Sequence, residues 1–255
     1  MLSQHTIDKL QAMGLSAMAD GLRQQMEQAQ YAELSFEERL GLLVDREVTW
    51  RENRRLQTRL YAAKLRQSAT VEEIDFRAPR GLDRAALLSL AEAGWVQAHH
   101  NLLLTGATGC GKSFLACALA HAAIRAGHAA RYVRTPRLLS DLALARGEGR
   151  YPRLLNKLAH TELLVLADVL LTPVGAEDAK DLLEIVEDRN QLRATVVVSQ
   201  LPVDSWYQAM PDPTLADAIL DRLLSRCRDK KRYPAATIIP TWPPAKNLEA
   251  AWTSG

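Results

Sequence analysis

Leu102-Leu103-Leu104-Thr105-Gly106-Ala107-Thr108-Gly109-Cys110-Gly111-Lys112-Ser113 is the stretch on which the reading of this chain turns. An apolar run leads into G-x-x-x-x-G-K-[ST], the P-loop pattern. The run reads as a buried strand, and the residues after it, Phe114, Leu115, Ala116, Ala118, Leu119 and Ala120 among them, read as a helix. Strand, Gly-rich turn and helix is the context that the pattern requires. Gly106, Gly109 and Gly111 carry no Cβ, so the backbone can turn and aim successive N–H groups inward as an anion nest. Ala107, Thr108 and Cys110 complete that nest, with Cys110 read as a small filler. The helix N-terminus adds partial positive charge. Lys112 is placed to reach the β/γ-phosphates and Ser113 to offer a hydroxyl to Mg²⁺. ATP and Mg²⁺ are the expected ligands.

Downstream, strand and helix signals alternate from Asn101 to Arg222. The expected fold is an α/β P-loop NTPase core, a parallel sheet with helices on both faces. Strands are expected at 101–105, 129–134, 162–166 and 194–198, and helices at 136–144, 152–159 and 176–189. The third strand ends in Ala167-Asp168, and an apolar strand ending in a carboxylate after a P-loop is a Walker B candidate. Ser199 and Gln200 follow the fourth strand. At the carboxyl edge of such a sheet they serve either to sense the γ-phosphate and hold the water, or simply to start the turn before Pro202. Arg222 lies in a helix with Asp217 and Asp221. It reads as an arginine finger for a neighbouring subunit's phosphate or as a surface arginine paired with one of those acids.

Upstream, residues 1–70 read as a small all-helical domain, 71–98 as a linker with a short helix, 99–224 as the core and 225–255 as an irregular tail. Gly14 divides the first helical stretch in two. Ser35 and Glu38 form a capping-box signature ahead of a long helix whose apolar positions are Phe36, Leu40, Leu43, Val44, Val48 and Trp50. That helix turns basic, with Arg51, Arg54, Arg55 and Arg59. Two readings stand beside each other here, a solvated helix face and a surface that tracks nucleic-acid phosphates. The balance of 32 basic against 30 acidic residues, a net charge of +2 in 255 residues, identifies no partner globally. Cys110, Cys117 and Cys227 have neither metal-ligand spacing nor disulfide logic. No run is long and apolar enough to span a bilayer and no signal-peptide core opens the chain, so a cytoplasmic location without membrane attachment is expected.

With these residues placed, the chain resembles the IstB family. These are ATP-binding helper proteins of IS21-type insertion sequences, in the AAA+ class and related to the helicase loader DnaC. The resemblance rests on Leu10-Gln11-Ala12-Met13-Gly14-Leu15, Ser35-Phe36-Glu37-Glu38-Arg39-Leu40, Arg51-Glu52-Asn53-Arg54-Arg55 and the P-loop. It rests above all on Ser199-Gln200-Leu201-Pro202-Val203 and Asp212-Pro213-Thr214-Leu215-Ala216-Asp217-Ala218-Ile219-Leu220-Asp221-Arg222-Leu223. It implies a protein that binds double-stranded DNA with little sequence preference, oligomerises with ATP and assists a cognate transposase. It carries Gly106, Gly109, Gly111, Lys112 and Ser113 over as phosphate and Mg²⁺ ligands, Ser199 or Gln200 as sensor, and Arg222 as the finger acting in trans.

Two departures qualify the resemblance. The family's Walker B strand ends in two acids, whereas this chain has Ala167 and then Asp168. By register the missing acid is the metal-side one and Asp168 holds the water-activating position, so ATP binding is expected with slow hydrolysis. The family's C-terminal G-x-S-x-R signature is also missing. In its place Arg226, Arg228, Lys230, Lys231 and Arg232 lead into a proline-broken tail read as solvated. The alternatives are a DnaC-like helicase loader, and a non-hydrolysing DNA-binding scaffold or degraded remnant. A small-molecule kinase is disfavoured because no substrate lid is legible.

Overall fold

The computed structural model describes residues 2–76 and 82–224, so the expectations for the tail, Cys227 included, lie outside the described residues. The chain divides into two compact units, Met1–Thr58 and Arg59–Gly255. The division falls inside one long helix.

The first unit holds α1 (Leu2–Ala12), α2 (Ser16–Glu27) and most of α3 (Phe36–Ala63). Gly14, at φ +73°, makes the turn between α1 and α2, a left-handed conformation that glycine adopts without a Cβ penalty. The capping box is made as expected. The Glu38 N–H donates to Ser35 Oγ at 3.2 Å, and the Ser35 N–H donates to Glu38 Oε2 at 2.8 Å. Leu15, the residue before α2, offers that helix no side-chain cap. Glu47, reaching from α3, supplies one, because its Oε2 accepts from the Met18 N–H at 3.0 Å while Oε1 accepts from Arg51 Nε at 2.8 Å. Burial pushes the Glu47 pKa up, but the Met18 N–H and the Arg51 guanidinium outweigh it and leave the carboxyl below its usual range. The apolar pattern expected of α3 is only partly used. Leu43 is buried, while Phe36, Leu40, Val44 and Val48 are exposed.

The second unit contains α4 (Arg84–Ala91), α5 (Gly94–Gln97), β1 (Leu102–Thr105), α6 (Lys112–Arg125), β2 (Ala130–Arg134), α7 (Thr135–Gly147), α8 (Tyr151–His160), β3 (Leu163–Val169), α9 (Ala176–Arg189), β4 (Ala194–Ser199), α10 (Trp206–Ala209) and α11 (Pro213–Leu224). Asp83 caps α4 by accepting from the Ala85 and Ala86 N–H groups. The four strands pair in parallel, in the order β1-β4-β3-β2. β1, β4 and most of β3 are buried throughout, which is why they read as unbroken apolar runs rather than alternating ones. One sheet face, with Leu103, Leu164, Leu166 and Val197, packs with α7, α8, α9 and α11. α6 packs on the sheet as well, touching all four strands. Its Ala116, Ala118, Ala120 and Ala123 are fully buried, and such small side chains let the helix lie close. Cys117 is buried with them, and burial pushes its thiol pKa up.

Arg189 ties this framework together. It is 1% exposed at the end of α9, and its guanidinium donates to Thr195 Oγ1 (3.0 Å), to the Thr161 carbonyl (2.7 Å) and to the carbonyls of Leu158 and Ala194. Burial and the like charge of Arg193 pull its pKa down to about 9, still above neutrality, so the charged fork is the form that bonds.

Candidate nucleotide site

The P-loop runs from the end of β1 into α6. Gly106, Gly109 and Gly111 have φ values of +145°, +84° and +90°, backbone that a residue with a Cβ adopts only under strain. All three loop glycines of the sequence pattern are therefore used for their conformation. Lys112, 7% exposed, opens α6 and folds its ammonium over the loop, donating from Nζ to the carbonyls of Gly106 at 2.7 Å and Ala107 at 2.6 Å. Cys110 Sγ lies 3.4 Å from that Nζ and donates to the Ala107 carbonyl. Ser113 is half-buried in the first turn of α6.

The sheet register carries the remaining site residues to the same edge. Thr105 of β1 pairs with Ser199 of β4, and Ser199 with Val169 of β3. The tips of the three strands thus span two strand spacings, roughly 10 Å. Of the two residues expected to sense phosphate, Gln200 is the one that meets the loop, where its Oε1 accepts from Thr108 Oγ1 at 2.7 Å. Ser199 is 1% exposed and turns inward, donating to the Val169 carbonyl at 2.8 Å and accepting from the Leu201 N–H at 3.1 Å. Its hydroxyl closes the turn before Pro202.

Asp168 sits in an irregularity of β3. Leu166 pairs with Val197 and Val169 with Ser199, so Ala167 and Asp168 together face Val198, and Asp168 takes φ +59°. The bulge aims the acid differently from a regular strand residue. Its Oδ2 accepts from Arg134 Nε at 2.8 Å, and the hydrogen bond and charge of Asp168 push the Arg134 pKa up. Arg134 ends β2 beside Ala167 in the register. Sequence reasoning placed the strand but passed over this side chain; a cation on the neighbouring strand level with the acid was the available signal. Ala167 is fully buried, and alternation along β3 puts it on the sheet face opposite Leu164 and Leu166.

For the phosphates, the nest of glycine-borne N–H groups and Lys112 fits. For Mg²⁺, the loop offers the Ser113 hydroxyl, which suits an ion otherwise held by phosphate oxygens and water. Asp168 is engaged by Arg134, and among the described residues no group of three His, Cys, Asp or Glu side chains makes a self-contained metal site.

Arg222 is placed elsewhere. Its backbone carbonyl accepts from Asn101 Nδ2 at 3.3 Å, and Asn101 precedes β1 at the end opposite the P-loop. Four strand residues, roughly 13 Å, lie between. The side chain pairs with Glu187 of α9, and Asp217 accepts from the Tyr207 hydroxyl. In the first unit, Arg51 is committed to Glu47 and to the Gly14 carbonyl (3.3 Å), and Arg54 lies over the Trp50 ring at 5.1 Å. Arg55 is exposed, and Arg59 is half-buried where the second unit begins.

The family described as IstB-like ATP binding protein matches residues 8–231. The chain belongs to this family. It is 49% identical over 224 residues to a protein of Sinorhizobium fredii named as an insertion sequence ATP-binding protein, covering 88% of this chain and 91% of that one. It is 45% identical to the ATP-binding protein of insertion sequence IS1162 from Pseudomonas fluorescens, over 79% of this chain and 88% of that one. To the IS21 ATP-binding protein of Pseudomonas aeruginosa it is 33% identical, over 78% and 75%. Among solved structures, the fold resembles DnaI (TM-score 0.53, 20% identity, 62% of this chain and 87% of that one). It also resembles AMPPCP-bound DnaA from Aquifex aeolicus (TM-score 0.52, 16% identity, 61% and 48%). The fold expected from the P-loop context is therefore the one present, an AAA+ core with a parallel sheet between helices and a helical region before it. No described helix of this IstB-like chain is long and apolar enough to cross a membrane.

Proposed function

We propose that this chain binds ATP with Mg²⁺ in the P-loop, assembles with further copies of itself on double-stranded DNA, and assists a transposase encoded by the same kind of insertion sequence. The observation that carries the reading is the loop itself. Three glycines at positive φ, Lys112 at its mouth and Gln200 bonded to Thr108 make a phosphate cradle with a polar reporter beside it. The names of its relatives as insertion-sequence ATP-binding proteins supply the context. In this reading Lys112 orients the β/γ-phosphates, Gln200 senses the γ-phosphate, and Asp168 orients the attacking water once Arg134 yields it. A bound Mg²⁺ would neutralise phosphate charge. Arg222, remote from its own loop, acts only on a neighbouring copy. Arg54 and Arg55 are the candidates for DNA contact in the helical region.

Ala167 favours a second reading, a nucleotide-gated scaffold that turns ATP over very slowly, because one of the two strand-end acids is a methyl group. One set of measurements separates these readings. Duplex binding is followed against salt with no nucleotide, ADP and ATP, with phosphate release alongside. ATP-dependent assembly on DNA with measurable release supports the first reading, and assembly without release supports the scaffold. Failure to bind nucleotide refutes both.

A further inference from the structure

β2 is an edge strand of the described sheet, and beside it lies a cavity of about 480 Å³ formed with the residues after α3, α7 and α8. Its charge is lopsided in a chain that is nearly balanced overall. Lys64, Arg66, Arg131, Arg134, Arg137 and Lys157 line it against a single acid, Asp141. Three of the six cations have work already. Arg131 donates to the Ala62 carbonyl, Arg134 holds Asp168, and Lys64 lies over the Tyr61 ring at 3.8 Å. Arg66, Arg137 and Lys157 are exposed and make no ion pair among the described residues, Arg66 lying beside the Tyr132 hydroxyl.

Charges on an edge strand commonly guard it against pairing with another chain. That accounts for Arg131 and Arg134, which lie on the strand. It does not account for Arg66, Arg137 and Lys157, which converge on the same hollow from three other segments. The floor is Tyr132, Leu138 and Leu158, all buried, with no exposed aromatic face on which a base could stack. Convergent guanidinium forks over such a floor suit backbone phosphates, which are read by charge and geometry rather than by sequence.

We infer that this cavity is a phosphate-backbone contact site for nucleic acid, in the second unit and additional to the arginines of α3. The inference rests on the reading that the chain binds DNA. The test is fluorescence anisotropy of the full chain with ATP and a labelled 30-base-pair duplex, over a range of salt. Combining Arg66→Gln, Arg137→Gln and Lys157→Gln should weaken binding about tenfold or more and flatten the log–log salt slope by about 2.7, near 0.9 for each lost phosphate contact. Each single change should flatten it by about 1, which keeps the test intact if the combined variant folds poorly. Asp141→Asn should tighten binding by about twofold, since it removes the one repulsive charge. Wild-type affinity and slope in the combined variant, with the wild-type chain binding the duplex, would overturn the cavity assignment and leave DNA binding to α3. Should the wild-type chain fail to bind duplex at low salt with ATP, the DNA reading falls and this inference with it.

Discussion

Restoring a carboxylate at the end of β3 tests the site most directly. Ala167 is fully buried on the sheet face opposite Leu164 and Leu166, and it precedes the acid that the strand still carries. In Ala167→Asp the new carboxylate has no cation of its own, because Arg134 is already paired with Asp168. Burial raises its pKa. Protonation is then the escape route, and it caps the electrostatic cost at pH 7 at about 4 kcal/mol, three pKa units above an ordinary aspartate. The sign follows from the raised folded pKa. The penalty is absent below the unfolded value near 4 and grows as pH rises, so at pH 5 the cap falls to about 1.5 kcal/mol. For a unit of this size that corresponds to a melting temperature lower by roughly 8–16 °C at pH 7 and by a few degrees at pH 5.

Mg²⁺ with ATP gives the new carboxylate a counter-charge, so the variant should regain more stability from the pair than the wild-type chain does. Turnover should rise about 10–100-fold, the usual scale for a group that supports a bound metal. Ala167→Asn, equal in size and uncharged, should lose stability without the pH dependence and gain no turnover. Differential scanning fluorimetry at the two pH values and a phosphate-release assay read both effects. A rate unchanged by Ala167→Asp, or raised equally by Ala167→Asn, refutes the idea that the missing acid limits hydrolysis. A loss of stability independent of pH refutes the buried placement.

Further outcomes follow from contacts elsewhere. Lys112→Ala should weaken ATP binding at least about 100-fold, two charge-assisted bonds' worth, as read by the thermal shift that ATP gives the wild-type chain. Gln200→Ala should leave ADP binding within about twofold and lower the preference for ATP over ADP if Gln200 reports the γ-phosphate; titration calorimetry with both nucleotides measures it. Glu47→Ala should expose the Met18 amide to faster hydrogen exchange and cost the first unit about 1–2 kcal/mol, the usual cost of losing a helix cap. The Glu47 pKa is lowered in the fold, so its contribution is present above the ordinary carboxylate range and fades as pH falls through the depressed value. Arg189→Met should cost about 3–5 kcal/mol, because the carbonyls of Leu158, Thr161 and Ala194 lose a buried charged donor; chemical denaturation of the full chain reads it.

The parts legible in the sequence were those set by local chemistry. Three glycines, a lysine and a serine in order predict a tight loop where a strand feeds a helix, and all three glycines take the positive φ that such a loop needs. α9 was legible to the residue because Gly175 and Asn190 bracket a clean apolar face. α3 is present where its cap and spacing place it, but its apolar positions do not tell which of them are covered: Leu43 is buried against Gly21 of α2, while Phe36, Leu40, Val44 and Val48 are exposed. The acid at the strand tip shows a different limit. Asp168 as a letter says only that a carboxylate follows an apolar strand. Its meaning depends on a bulge that turns it to positive φ and on a partner 34 residues earlier in the chain, brought level by the β2–β3 register. Arg134 occupies one acceptor position on Asp168 Oδ2 until that ion pair opens, and the other acceptor positions of the carboxylate stay available to water. A partly exposed pair of this kind is worth about 1 kcal/mol or less, so opening it costs little. Under the proposed function, Arg134→Ala should therefore change phosphate release by about fivefold at most, less than the roughly 10–100-fold rise expected of Ala167→Asp, and a larger effect at Arg134 than at Ala167 would refute that ranking.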